Sequence, residues 1–93
     1  MRTIERSTAF KRDFKRETRG RYRATLEDIL KPVLTGLVTD QPLDERYRDH
    51  DLSGQWAGYR ECHIKPDLLL IYSKTDNNIL RLARLGSHSE LFG

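Results

Sequence analysis

The sequence predicts an α+β domain of order β-α-α-β-β-β, with two N-terminal helices packed on one face of an antiparallel sheet. Three observations carry the prediction. Leu26, Ile29, Leu30, Val33, Leu34 and Leu37 recur at i, i+3, i+4, i+7, i+8 and i+11, one continuous apolar stripe of a helix. The segments GYRECHI (58–64), DLLLIYS (67–73) and NILRLARL (78–85) either alternate or form a compact apolar run, as strands do. The turn stretches between them, KPD (65–67) and KTDNN (74–78), are short enough to make an antiparallel meander. Nothing else in the chain is available to bury both the stripe and the strands' apolar side, so the helices must cover one sheet face. The 93 residues leave room for one domain, 1–93, with one modest core.

Taken in order, RTIER (2–6) reads as a short strand with Ile4 pointing inward. Ser7 or Thr8 caps a helix over TAFKRDFKRETR, in which Phe10 and Phe14 share a face and Gly20 marks the end. The second helix carries the long stripe, but Pro32 interrupts it. An interior Pro costs about 3 kcal/mol, so a bend near Lys31 or two short tandem helices are expected, and Gly36 weakens the last turn. Residues 39–57 hold turn formers and no clear period. A loop of that length is either disordered or functional, and Leu43, Tyr47, Leu52 and Trp56 give it anchors that favour an ordered excursion. There is no internal repeat and no low-complexity linker.

Composition narrows the function classes. No run approaches the roughly 18–20 apolar residues of a membrane span, and the basic N-terminus lacks the apolar stretch of a secretory signal. A single Cys62 excludes an internal disulfide and a multi-cysteine metal site, so a reducing, cytoplasmic setting without membrane attachment is expected. The net charge of +3 is unevenly spread: residues 1–23 hold nine Lys/Arg against three acids, the remainder eight against eleven. A basic end suits a polyanion partner. A solvated helix face explains the same charges, and charge alone does not choose.

The chemistry-bearing residues lie outside the helical half. His50 falls in the long loop, His63 at the end of the first meander strand, and His88 in the closing segment. Asp67 follows His63 across the KPD turn, and Arg81 and Arg84 sit on the last strand. His, Asp and Arg without a glycine-rich phosphate loop or a Ser triad suit metal-free RNA cleavage. There the RNA's 2′-OH attacks the adjacent phosphorus, imidazoles move the protons, a guanidinium steadies the phosphorane, and an aromatic such as Phe92 supports an unstacked base. Each residue also has a plain structural reading: His63 and Asp67 as a turn-stabilising pair, the arginines as solvated or ion-paired, Leu91 and Phe92 as plugs at the core edge. Zinc ranks below, since no tight H-x-x-x-H pairing exists.

The stretch RDHDLSGQWAGYRECHIKPDLLLIY, followed by LRLARLGSHSELFG, resembles the YafQ branch of the RelE-like toxins, ribosome-dependent mRNA interferases of bacterial toxin–antitoxin pairs. The family pattern D-H-x-L-x-G falls at Asp49–Gly54, G-Y-R-x-x-H-x-x-P-D-x-x-L-I-Y at Gly58–Tyr72, and R-x-G-x-H-x-x-L-F at Arg84–Phe92. The resemblance implies the RelE-like microbial RNase fold and a metal-independent, cofactor-free endoribonuclease that cuts translated mRNA in the ribosomal A site.

By position, the resemblance makes His50, His63, Asp67, Arg84 and His88 the catalytic set. His88 is then the favoured general acid, Asp67 or His63 the base, His50 an assistant, and Arg84 the phosphorane stabiliser. Phe92 would position a base, with Lys15, Arg16, Arg19, Arg21, Arg23 and Arg81 on RNA, and Arg12 joining the N-terminal cations along 16S ribosomal RNA. A cognate antitoxin is implied, as two toxins on an antitoxin dimer that alone contacts operator DNA. Leu68 departs from the Trp common at that position. The alternatives are a toxin-like module that occupies the ribosome or RNA without cutting, and a free-standing RNA-binding domain.

Overall fold

The computed structural model describes residues 1–93. Its elements are β1 (Thr3–Arg6), α1 (Thr8–Glu17), α2 (Leu26–Val38), β2 (His50–Asp51), β3 (Arg60–Lys65), β4 (Leu68–Lys74), β5 (Ile79–Gly86) and α3 (His88–Phe92), with 3-10 turns at Glu45–Tyr47 and Gly54–Trp56. The strands form one sheet in the order β1-β5-β4-β3-β2, antiparallel throughout except for the parallel β1–β5 pair. The predicted α+β arrangement is present, with an additional strand, β2, and an additional helix, α3.

Ser7 begins α1: its Oγ accepts the Phe10 amide at 2.9 Å, satisfying one of the free donors of the first turn, and donates to the Ala83 carbonyl at 2.7 Å. The helix ends at Glu17, ahead of Gly20. The stripe of α2 is buried as its spacing requires, with Leu26, Leu30, Val33 and Leu37 packed on Cys62, Ile64, Leu68, Leu70, Tyr72, Leu80, Leu82 and Leu85. Cys62 is fully buried there, and burial pushes its thiol up, away from nucleophilic chemistry.

Two local expectations are corrected. The chain does not split into two short tandem helices at Pro32; one helix runs through it. Pro32 and Asp28, whose carbonyl the missing N–H would have engaged, are both exposed, which lowers the cost of the lost bond. Ile4 does not point into the core but is 44% exposed. The helices cover the central strands and leave an open groove of about 400 Å³ between α2 and the edge strand, with Ile4, Phe14, Leu30, Leu34 and Val38 along its walls.

The loop 39–57 is ordered. Leu43 and Tyr47 pack against the main core. Leu52, Trp56 and Tyr59 pack on the opposite sheet face with Leu69, Ile71, Ala83 and Leu91 of α3. That face is therefore partly covered too. Arg60 fixes the loop by binding Asp49 at 3.2 Å and Asp51 at 2.5 Å, and the buried Tyr72 hydroxyl donates to Asp49.

β1 stops pairing with β5 at the Arg6–Leu82 register. Beyond it, side chains of α1 take over the outer edge of β5: Asp13 Oδ2 accepts the Leu85 amide at 3.0 Å and Arg16 Nη2 donates to the Leu85 carbonyl at 2.9 Å.

Candidate active site

Two cross-strand rows assemble the chemistry-bearing residues at one end of the sheet. In the first, His50 pairs with Glu61, Glu61 with Ile71, and Ile71 with Arg84. In the second, His63 pairs with Leu69 and Leu69 with Gly86. In an antiparallel meander the first and third strands run the same way, so both finish at the same end. Two strand spacings place Gly86 about 10 Å from His63, and His88 follows two residues later.

His50 is held at both ring nitrogens. Nε2 lies 3.0 Å from Glu61 Oε2, and Nδ1 lies 2.6 Å from the Arg48 carbonyl oxygen. Arg48 adopts a left-handed conformation at φ 50°, which turns its carbonyl toward the ring. Glu61 is buried, and its second oxygen, Oε1, has no hydrogen-bond partner. The His50 and His63 ring centroids are 6.3 Å apart. His63 is half-buried and borders a cavity of about 330 Å³ on the α2 side, lined also by Asp28, Ile29, Pro32, Arg46, Tyr47 and Lys65; His50, Arg84 and His88 do not line it.

Asp67 lies in the turn after His63 and is tied to the connector between α1 and α2. Its carboxylate accepts from the Tyr22 hydroxyl and from Arg21 Nη1 at 2.6 Å. The Tyr22 hydrogen bond, with Arg21 beside it, holds Asp67 below the usual carboxylate range, so it stays ionised and is a poor proton acceptor.

Arg84 is clamped by Asp13 of α1, with Nε at 2.7 Å from Oδ2 and Nη2 at 3.2 Å from Oδ1. Burial raises the pKa of Asp13, but hydrogen bonds from Arg84 and the Leu85 amide outweigh it, and the net shift is downward. His88 opens α3, which carries a reciprocal cap: Ser87 Oγ accepts the Glu90 amide at 3.2 Å, and Glu90 Oε1 accepts the Ser87 amide at 2.8 Å. His88 and Phe92 are exposed, with ring centroids 5.0 Å apart, four residues along the same helix.

The predicted RNA-binding cations divide. Lys15, Arg19 and Arg23 are exposed and make no ion pair. Arg16 engages Asp13, Glu17 and Glu90, and Arg21 engages Asp67. Arg81 pairs with Glu5 at 2.8 Å. It stands five residues before Gly86 on the strand, about 17 Å along it, and is not brought to the site. Leu68 lies in the core at 1% exposure, so this position offers no surface for stacking.

Sequence reasoning missed Glu61 and Asp13. Alternation along β3 places 61 on the same face as 63 and would have exposed the first. Asp13 carried no signal beyond its i,i+3 relation to Arg16, because its decisive partners are about seventy residues away. No group of three or more His, Cys, Asp or Glu side chains is arranged to hold a metal ion.

The family model described as the bacterial toxin of type II toxin–antitoxin systems, YafQ, matches residues 2–93. The mRNA interferase toxin YafQ of Escherichia coli strain B/BL21-DE3 is 41% identical over 93 residues, covering 99% of this chain and 97% of that protein. Among solved structures, a metal-bound toxin from Helicobacter pylori is 46% identical with a TM-score of 0.89, covering 99% of this chain and all of its own. The toxin in the E. coli DinJ–YafQ complex is 40% identical with a TM-score of 0.85, and both chains are covered in full.

Proposed function

Because the chain belongs to the YafQ family of bacterial type II toxin–antitoxin toxins, we propose that it is an endoribonuclease that cleaves translated mRNA in the ribosomal A site. The carrying observation is the pair of cross-strand rows, which gather His50, His63, Arg84 and the start of α3 at one sheet end.

The reaction is attack of the RNA 2′-OH on the adjacent phosphorus, giving a cyclic phosphate and a free 5′-hydroxyl. His63, half-buried and beside His50 with ring centroids 6.3 Å apart, takes the 2′-OH proton. His88, exposed at the head of α3, protonates the leaving 5′-oxygen. Arg84 stabilises the phosphorane through Nη1, since Asp13 occupies Nε and Nη2. His50, fixed between Glu61 and Arg48, stands beside His63 and supports the phosphate electrostatically. Asp67, held ionised, anchors the His63 turn and is not the base. Phe92 offers a face for a displaced base beside His88. The acid–base groups are imidazoles, and the reaction as drawn asks for no metal or cofactor.

Lys15, Arg19 and Arg23 form the free cationic surface for 16S ribosomal RNA. The resting partner is a cognate antitoxin, as in the E. coli DinJ–YafQ complex, in a 2:2 assembly that reaches operator DNA through the antitoxin. The chain has no helix long and apolar enough to cross a membrane, in keeping with action on cytoplasmic ribosomes.

The test is a translating extract given pure protein, with mRNA 5′ ends mapped. The wild type, treated with chelator and desalted, should cut within translated frames, and His88→Ala should not. Equal translation arrest by both proteins with intact mRNA would favour the non-cleaving binder.

A further inference from the structure

Asp13 is the one charged side chain that α1 buries, at 3% exposure. Burying a charge is costly unless it is fully paired, and here both oxygens are filled. Oδ2 accepts Arg84 Nε at 2.7 Å and the Leu85 amide at 3.0 Å; Oδ1 accepts Arg84 Nη2 at 3.2 Å and Arg16 Nη1 at 3.0 Å. An apolar residue would pack against the core without that cost but would leave the Leu85 amide unpaired and Arg84 untethered.

The contact is directional. It takes the Nε–Nη2 edge of the guanidinium and leaves Nη1 without a protein partner. Arg84 is thus a fork held along one edge, with Nη1 left over for another acceptor. The network continues from Arg16 to Glu90 at 3.2 Å, and Glu90 in turn caps α3 through the Ser87 amide. Gly86 makes room for this: a Cβ there would sit 2.7 Å from Arg16 Nη2, 3.1 Å from Glu90 Oε1 and 3.3 Å from Leu91 Cδ2.

We propose that Asp13 is a positioning residue for RNA cleavage: it aims the Arg84 guanidinium and, through Arg16 and Glu90, seats the helix that carries His88 and Phe92. The kinetic part of this inference rests on the proposed nuclease reading; the structural part does not.

Two measurements test it. In 15N-arginine-labelled protein, the Arg84 Nε–H should give a slowly exchanging signal at neutral pH that Asp13→Asn abolishes and Asp13→Glu largely keeps. In the cleavage assay, Asp13→Asn should lower kcat about tenfold to a hundredfold with little change in KM, the scale of a small misplacement. Asp13→Asn should then cost clearly less in an Arg84→Ala background than in the wild type, leaving only the part that acts through Arg16 and Glu90. Fully additive losses, or an undisturbed Arg84 signal in Asp13→Asn, would overturn the proposal. So would a fast-exchanging Arg84 in the wild type, which decides the matter if Asp13→Asn fails to fold. Wild type that never cuts RNA defeats the nuclease reading instead, and the Arg84 signal still reports on Asp13.

Discussion

Glu61 Oε2 lies 3.0 Å from His50 Nε2, while Glu61 Oε1, buried in the same carboxylate, has no partner. Half of this group is used to hold a ring and half is left desolvated. Glu61→Gln should therefore lower cleavage, by up to about 10²-fold if His50 loses its set orientation. The same change removes an under-paired buried charge, so stability should stay level or rise by about 1 kcal/mol. Thermal melts beside cleavage assays check it; a variant both less stable and fully active would contradict the account.

His88→Ala should lose about 10²–10⁴-fold in cleavage rate, the usual contribution of a general acid. Single-turnover rates on ribosome-bound message check it; a variant that cuts at the wild-type rate would remove His88 from the chemistry.

Reversing Lys15, Arg19 and Arg23 to Glu should weaken ribosome association and flatten its salt dependence. Each lost phosphate contact should remove about 0.7–0.9 from the slope of log affinity against log salt. Reversing Arg81, already paired with Glu5, should leave that slope unchanged. An unaltered slope in the triple variant would return these cations to a merely solvated face.

Stability should be level from about pH 5 to neutral pH and fall in acid. Asp13, Asp67 and Glu90 are held below their ordinary values, and Asp40, hydrogen-bonded by Arg2 and Lys74, is lowered from 3.8 to about 2. A carboxylate whose folded pKa is depressed stabilises the fold above its unfolded pKa, and that stabilisation disappears as pH drops through the folded value. Asp40→Asn should therefore melt lower than wild type near pH 6 and converge with it near pH 2, as followed by circular dichroism.

Gly86→Ala should cost about 1–3 kcal/mol, the range for inserting a methyl into packed space. Arg16 Nη2 is a flexible tip and gives way, but Leu91 does not do so freely. The displaced α3 should reduce cleavage beyond what the stability loss explains, which unfolding curves and rates on the same preparation would reveal.

Much of this was legible before any coordinates. The stripe from Leu26 to Leu37 is buried as its spacing required, and the three segments read as strands became β3, β4 and β5. Two residues suffice for β2 because Arg60 and Tyr72 clamp Asp49 beside it, a tertiary cause with no local signature. The α3 cap was readable, since Ser87 and Glu90 form the S-x-x-E pattern, but it sits where chain ends are usually frayed. Pro32 misled because its cost depends on which face it occupies, and Ile4 because an edge strand's interior side is covered only where helices reach.

The site was half legible. The KPD turn put Asp67 beside His63 and the motif spacing marked His50, Asp67 and His88, but that the end of β5 finishes beside His63 came only from the register. The partners of Asp67, Tyr22 and Arg21, come from a connector that no periodicity placed there.

The way α1 closes β5 has a consequence for the chain when it is released from a partner. An uncovered strand rim is a template on which other chains add and stack. At Leu85 the outward amide and carbonyl are already engaged by a carboxylate and a guanidinium of the same molecule. That stretch of rim gives a passing strand nothing to bond to, and a freed monomer is protected there from seeding its own aggregation.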